Sequence, residues 1–466
     1  MNTHRTTLIV NKKLNTRSLL GTLALLGLML VNGPANAADA YFDTNGTTAG
    51  SGVTGGTTYS TWTGTNFWST SSAGTAATST WTPGDDAIFA AGTDANGLNY
   101  TINIVPGTTV VNSITKNGLG NLTFGKEVIG PDANLSLTSG VIDVTTAGAI
   151  LSINVGLSGT SGLIKNGAGS LSISGPAATY TGDTVVNAGV LTVTAFRQPI
   201  GSRLVLNNSG IYATFGGPNT VAGISGTSTS TIVRNGFSAS TITTSKASGV
   251  ESYAGTFQDV VTALSIIKDG AFTQRFSGNS INTGTTIVTA GTLLINGNNS
   301  AATGAVTVQA AGTLGGIGTV GGTTTLNAGG SLSAGDSSRA TLTFSNGLNI
   351  SAVNGTSSLL FSLGTTGDSD RVASGALTIG SGVLGFNDFA FLAETGFGNA
   401  VYTLFSSTGI TGSLDGSDLT GTIGGLSSTL SISGNNVLLT VVPEPSTAGL
   451  ILLGLALSAA TKRKRA

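Results

Sequence analysis

Cysteine is absent from the 466 residues, and there is a single histidine, His4. The first absence excludes disulfides, thiolate zinc sites and cysteine nucleophiles. His4 lies in the N-terminal leader identified below, so the body has no Ser-His-Asp or Cys-His catalysis and no ordinary zinc site open to it. Lack of cysteine does not place a protein in the cytosol, since exported β-solenoids also do without it. Charge is scarce as well. Asp, Glu, Lys and Arg make up 8% of the chain, against roughly 25% in ordinary globular proteins. The formal net charge of −1 hides an asymmetry. Arg5, Lys12, Lys13 and Arg17 stand in the leader and Lys462, Arg463, Lys464 and Arg465 close the chain. Setting these eight and Glu444 aside leaves 11 basic residues against 19 acidic ones, a body of about −8. A dilute acidic body argues against nucleic-acid binding, which needs clustered Lys and Arg. No apolar run reaches the ~20 residues of a spanning helix: Leu19–Val31 has about 13 and Thr447–Ala460 about 14.

What is present is glycine, 71 residues of it, together with 39% hydrophobic residues that alternate with Thr and Ser. Alternation is the period of a half-buried strand, and it supplies the apolar surface a disordered chain lacks. The clearest case is 163–193. Leu171 and Ile173, then Val185, Leu191 and Val193, mark strands. Gly175-Pro176, Gly182-Asp183 and Asn187-Ala188-Gly189 mark turns that need positive φ. The stretch recurs. Lys116, Gly118, Gly120, Leu122 and Phe124 repeat Lys165, Gly167, Gly169, Leu171 and Ile173 at a shift of 49 residues. Lys268, Gly270, Phe276 and Gly278 repeat Lys165, Gly167, Ile173 and Gly175 at a shift of 103. Three degenerate copies (116–144, 165–193, 268–295) of one supersecondary unit predict a stacked, all-β architecture, each unit burying its apolar face on its neighbours.

These residues resemble the autotransporter-associated β-strand repeat, roughly K-x-G-x-G-x-L-x-L-x-G followed by T-Y-x-G-x-T-x-V-x-A-G-x-L. The copy at 163–193 carries Lys165, Gly167, Gly169, Leu171, Gly175, Tyr180, Gly182, Thr184, Ala188, Gly189 and Leu191 of it. The copy at 266–295 departs from the pattern, with Phe272 for the second glycine and Asn282 or Thr283 near the tyrosine. The first copy lacks the tyrosine. The resemblance covers about a third of the chain. It implies a right-handed parallel β-helix on a cell-surface protein, and no activity.

In chain order, residues 1–37 read as a secretory signal peptide. A basic n-region precedes Leu19–Val31, then the helix breaker Asn32-Gly33-Pro34, then Ala35-Asn36-Ala37, whose Ala35 and Ala37 suit signal peptidase. A permanent N-terminal anchor is the alternative. Residues 38–112 read as an N-terminal β-cap, because Trp62, Trp68 and Trp81 all lie there and a solenoid end must cover an open apolar cross-section. A carbohydrate-stacking platform is the other reading of these tryptophans. Residues 113–345 hold the β-helix, with 194–265 less regular, either a lateral loop or deviating coils. Residues 346–442 concentrate Phe361, Phe386, Phe389, Phe391, Phe397, Tyr402 and Phe405 and read as C-terminal coils and cap.

Residues 443–466 are a separate device. Pro443 and Pro445 end the last strand, since proline cannot donate to a ladder. A short apolar helix follows and a basic tail ends it, Lys462, Arg463, Lys464 and Arg465, which favours the cytoplasmic side. The order Pro443-Glu444-Pro445, apolar helix, basic tail closely resembles the PEP-CTERM sorting signal. That resemblance implies transient insertion of the C-terminal helix in the inner membrane and cleavage near Pro443-Glu444-Pro445 by an exosortase-like transpeptidase. It also implies delivery to the envelope, surface or extracellular polysaccharide matrix of a Gram-negative-type bacterium. A plain C-terminal anchor is the alternative. The ten-residue alternating strands of an outer-membrane barrel do not precede the basic tail.

For chemistry, carboxylates remain. The pairs are Asp85/Asp86, Asp368/Asp370 and Asp415/Asp418. Each sits in a turn-like setting, and turn formation accounts for it. Asp368, Asp370, Asp415 and Asp418 are also the one set that would gather a calcium ion, without matching an EF-hand or a glycine-aspartate nonapeptide. Gly316-Ile317-Gly318-Thr319-Val320-Gly321 fits G-x-G-x-x-G, but a strand-like run follows it and not a helix N-terminus. Threonine ladders such as Thr192-Val193-Thr194 would order ice only if stacked on one flat face. No catalytic residue, cofactor or metal site is expected. The sequence predicts an exported, non-enzymatic structural or adhesive surface protein. A polysaccharide-binding or -cleaving β-helix is the alternative, marked by a lateral groove with paired aspartates, an Arg or Lys and exposed aromatics. An ice-binding surface is the third reading.

Overall fold

The computed structural model divides into two units, 1–37 and 38–466. It describes residues 37–443 apart from 60–61, 65, 127–131, 195–198, 200, 235–237 and 354–357. The expected signal peptide and C-terminal apolar helix lie outside the described residues. Among the described residues no helix is long and apolar enough to cross a membrane.

The body is a parallel β-helix with three faces. On the first face Asp86–Phe89, Ile114–Lys116, Val141–Val144, Leu163–Asn166, Thr184–Val186 and Leu204–Leu206 stack in parallel register. Leu163 pairs with Thr184 and Thr184 with Leu204, so one turn of the helix takes 21 residues and the next 20. The second face is a nine-stranded parallel sheet that includes Ile150–Ile153, Ser170–Ile173 and Val190–Thr194. The third carries Gly107–Val111, Ala133–Leu137 and Gly156–Gly159, and higher up Gly217–Val221, Ser240–Ser245 and Leu264–Asp269. Alternation sends Leu171, Ile173, Leu191 and Val193 into the core. The 194–265 segment forms coils of this stack, not a lateral loop.

The repeat is out of phase with the coil. Lys165 stands on a first-face strand, whereas Lys268 stands on a third-face strand. The motif has moved by one corner of the triangle between its two best copies. It therefore encodes a corner with its two flanking strands, and the three faces accept it interchangeably.

The chemistry of that corner explains the pattern. Lys165 is fully buried, and its Nζ donates to the carbonyls of Asn166, Gly167 and Ala188 at 2.6, 2.8 and 3.2 Å. Lys268 repeats this with Asp269, Gly270 and Ala290 at 3.2, 2.7 and 2.8 Å, and Lys116 with Asn117, Gly118 and Leu119 at 2.6, 3.0 and 3.2 Å. Each ammonium gathers carbonyls that the bend turns away from the ladders. Burial pulls all three lysines down to about 8. The buried Tyr180 hydroxyl shares a 2.7 Å hydrogen bond with Thr184 Oγ1, which accounts for the tyrosine and threonine of the pattern.

Gly189 takes φ +65°, as its turn requires. Gly175 corrects the expectation, for it has no positive φ; a Cβ there would lie 2.1 Å from the Val155 carbonyl oxygen. The same close stacking recurs at another corner. A Cβ on Gly304 would meet Gly284 O at 1.9 Å, and one on Gly322 would meet Gly304 O at 1.7 Å. Gly322→Ala is expected to cost about 2 kcal/mol, because one corner must back away from the corner stacked on it. A denaturant midpoint equal to wild type would show that the coils have slack there.

The first-face ladder thins to a seam at one place among the described residues. Between Ile224–Gly226 and Val250–Tyr253 only Gly226 and Tyr253 pair. The side-chain amide of Gln274, fully buried one coil further on, fills the gap. Its Oε1 accepts from Ile224 N at 3.0 Å, and its Nε2 donates to Ile224 O at 2.8 Å and Glu251 O at 3.3 Å. Glu251 itself is 5% exposed and pairs with Lys246 at 2.7 Å and Arg203 at 3.5 Å.

At the N-terminal end Trp62, Trp68 and Trp81 are buried against one another and against Phe42, Phe89 and Phe124. At the other end the parallel stack gives way to an antiparallel meander of Ala400–Leu414, Asn436–Val442, Leu426–Ser433 and Thr420–Ile423. Phe361, Phe389 and Phe405 pack beneath it.

Candidate functional site

The sequence singled out Asp368 and Asp370, and the structure brings them to a lateral cleft of about 590 Å³. The strand Ser331–Ala334 leads into its rim, a loop with Gly335 at φ +90° and Ser337 at φ +60°. Ser333, Asp336, Arg339, Ser362 and Glu394 complete the lining. Arg275 holds Asp336 from below in a bidentate pair of 2.7 and 2.8 Å, and Asn296 Nδ2 adds a bond of 2.8 Å. The Arg275 guanidinium keeps the Asp336 carboxyl below the ordinary carboxylate range. Arg339 bonds Asp368 and lies 3.6 Å from Glu394.

Geometry assigns these groups to architecture. Asp370 is 4% exposed, and its two oxygens accept from Ala340 N at 2.9 Å and Ser362 N at 2.7 Å. Burial raises its pKa, opposed by those same main-chain bonds. Arg339 lowers Asp368. A general acid and base would need a free carboxyl pair facing substrate, and here both are engaged. The cleft has the aspartates and the arginine that the polysaccharide reading asked for, and among the described residues no aromatic side chain lines it.

The turn-like setting accounts for Asp415 alone, and the carboxylates of Asp85, Asp86 and Asp418 tie segments distant in sequence. Asp86 Oδ1 accepts from Asn112 Nδ2 at 2.8 Å and Ser113 Oγ at 2.5 Å; Asp85 accepts from Ala38 N at 3.3 Å. Asp415 accepts from Ser417 N at 2.9 Å, and Asp418 from Asn387 N at 2.9 Å. Among the described residues no group of three or more His, Cys, Asp or Glu is placed to hold a metal ion. Asp368/Asp370 and Asp415/Asp418 are thus not gathered around one point. Gly316 and Thr319–Val320 belong to strands of the stack. The tryptophans form the core of the N-terminal end and offer no stacking platform. An in-register file of hydroxyls does run up the second face, Thr101, Thr123, Ser152, Ser172 and Thr192, before Ala213 ends it. Its outward neighbours Ile150, Ser170 and Val190 are mixed, so it is one file and not the flat threonine plane that ice binding requires.

Of the processing residues, Ala37 is the first described residue, and Pro443 is exposed directly after the strand Asn436–Val442. Ala35, Glu444, Pro445, Lys462, Arg463, Lys464 and Arg465 lie outside the described residues. The buried lysines and Gln274 were missed as structural keystones. Their signal was parity: Lys165 is in phase with Leu163, Lys116 with Ile114, and Gln274 with Phe276, all inward.

Comparison with known proteins bears out both resemblances. The passenger-associated-transport-repeat family model matches residues 163–193 and 266–295, and the PEP-CTERM protein-sorting motif matches 441–465. The copy at 116–144 lies outside the matched residues. The adhesin BmaC autotransporter of Brucella suis biovar 1 (strain 1330) is 32% identical over 175 residues, 37% of this chain. That match spans 4% of the relative's length.

Proposed function

We propose that the chain is an exported, non-enzymatic adhesive or structural protein of the bacterial surface, delivered by its C-terminal sorting signal. The observation that carries this is the placement of the matched motif. It begins at residue 441, inside the last strand of the β-helix cap, so the rod leads straight into the signal. The adhesin similarity and the repeat matches support the surface role. In this reading residues 1–37 are removed by signal peptidase after Ala37. An exosortase-type enzyme then cuts near Pro443-Glu444-Pro445 while Thr447–Ala460 is in the inner membrane. Thr, Ser and Asn along the coils give weak contacts that add up by multivalency. Fractionation and mass spectrometry of the mature C-terminus test it. Loss of Lys462–Arg465 from the exported form is the expected result; finding them intact on it overturns the sorting step.

A second reading rests on the lateral cleft, whose Asp336, Asp368, Glu394 and Arg339 would bond the hydroxyls of an extracellular polysaccharide. A glycan array with the wild type and Arg339→Ala tests it, and equal binding by both sinks it.

A further inference from the structure

The N-terminal cap carries negative charge that no side chain of its own balances. Residues 38–115 hold Asp39, Asp43, Asp85, Asp86 and Asp94, and no Lys, Arg or His. Asp43 is the extreme case. It follows the strand Asp39–Phe42 and is fully buried. Its Oδ1 accepts from Asn45 N at 3.0 Å. Its Oδ2 is buried and has no hydrogen-bond partner among the described residues, and the same holds for Asn45 Oδ1. Two acceptor oxygens on one turn are thus left without a donor.

The loop Gly50-Ser51-Gly52 ties a second carboxylate to this turn. Ser51 N and Oγ donate to Asp94 Oδ1 at 2.8 and 2.9 Å, and Gly52 N donates to Asp94 Oδ2 at 2.9 Å. The Ser51 carbonyl accepts from Thr44 N at 2.7 Å and from Thr44 Oγ1 at 2.9 Å. A Cβ on Gly52 would lie 2.6 Å from Asn45 Cβ. Burial raises the Asp94 carboxyl, but the Ser51 and Gly52 donors outweigh it and hold it below the ordinary range. Asp94 is therefore a fixed negative charge. Burial raises the Asp43 carboxyl and Asp94 adds to the rise, against the amides of Asn45 and Gly46. A buried carboxylate beside a second one must take up a proton or be paired with a cation. One proton serves the two orphan oxygens and leaves Asp94 unbalanced. A divalent ion serves both oxygens and both charges.

We propose that Asp43 Oδ2 and Asn45 Oδ1 bind a calcium ion, which balances Asp43 and Asp94 and pins the first turn of the cap. Calcium accepts carboxylate, amide, main-chain and water oxygens in a flexible shell of about six to eight, whereas magnesium demands a tighter octahedron. The site needs no cluster of three acidic side chains. With one carboxylate as ligand it falls in the weak class of extracellular modules, with a dissociation constant of about 10⁻⁴–10⁻³ M.

Calorimetric titration of the full chain with calcium, in non-ionic detergent after stripping with EDTA, tests it. The wild type is expected to take up one ion per chain in that range, with Tm raised by about 2 °C at saturation. Asp43→Asn keeps the shape and supplies the hydrogen of a protonated carboxyl. It should weaken binding by about 10-fold or more and abolish the rise in Tm. Asn45→Ala should weaken binding by about 3-fold or more. Asp39→Asn, at an exposed aspartate of the preceding strand, should bind as wild type does. No uptake by the wild type overturns the proposal. So does uptake that Asp43→Asn and Asn45→Ala leave unchanged, or that Asp39→Asn weakens as much as they do. If Asp43→Asn is as stable as wild type and calcium affects neither, Asp43 holds a proton and the calcium site is refuted.

Discussion

Gln274→Leu should lower the stability of the β-helix by about 2–6 kcal/mol, although leucine matches the volume and suits the apolar interior. The estimate comes from two main-chain groups, Ile224 N–H and Ile224 C=O, which lose the partners that Gln274 supplies. Each buried polar group left alone costs about 1–3 kcal/mol. Gln274→Glu should be no rescue. It keeps an acceptor for Ile224 N–H, but removes the donor to Ile224 O and puts a carboxylate where burial is complete. Hydrogen exchange locates the effect: Ile224 and its strand neighbours should open first, with the flanking coils following. If the denaturant midpoint of Gln274→Leu equals that of wild type, the amide is a passenger and the seam is closed by packing alone.

This seam shows where sequence reading ends. The strands were legible because the coil imposes one rule on every face, alternate residues inward, and Leu171, Ile173, Leu191 and Val193 obey it. The aromatic ends were legible because a solenoid exposes its cross-section only there. What escaped was every exception to hydrophobic-inward. Lys165, Gln274 and Glu251 carry the correct parity and the wrong polarity, so their side chains read as outward. Only the coordinates reveal the carbonyls or missing ladder bonds that draw them in. The phase shift escaped for a different reason. A repeat spacing of 103 residues gives no sign that turn length varies along the chain, and so no sign of which face a copy occupies. The cleft was half legible. Asp368 and Asp370 were nominated by local spacing, but Arg275 meets Asp336 across 61 residues, a contact fixed by how many coils intervene.

The buried lysines make the other large prediction, and its sign depends on pH. Lys165 titrates at about 8 in the folded chain, against 10.5 when free. Below pH 8 both states hold the proton and the fold bears the cost of burying the charge. Between about 8 and 10.5 the unfolded chain keeps a proton that the folded chain has released, so stability rises with pH. Lys116 and Lys268 act in the same window. Tyr100, Tyr180, Tyr212 and Tyr253 oppose it from above. Burial raises all four, so the unfolded chain ionises first and stability falls once pH passes 10. The wild type should therefore be most stable near pH 10, unusually alkaline for a chain with an acidic body. Lys165→Met should cost about 3 kcal/mol at pH 7, because Asn166 O, Gly167 O and Ala188 O lose the donor that Lys165 supplies. It should also remove roughly a third of the rise between pH 8 and 10, since one of three independent sites is gone. A neutral amine still donates two hydrogen bonds, so the corner keeps two of its three carbonyl contacts when Lys165 releases its proton. Denaturant midpoints from pH 7 to 10 for both proteins measure this. A wild-type midpoint that falls steadily over that range would mean that the corner carbonyls hold the ammonium charged, with burial contributing little.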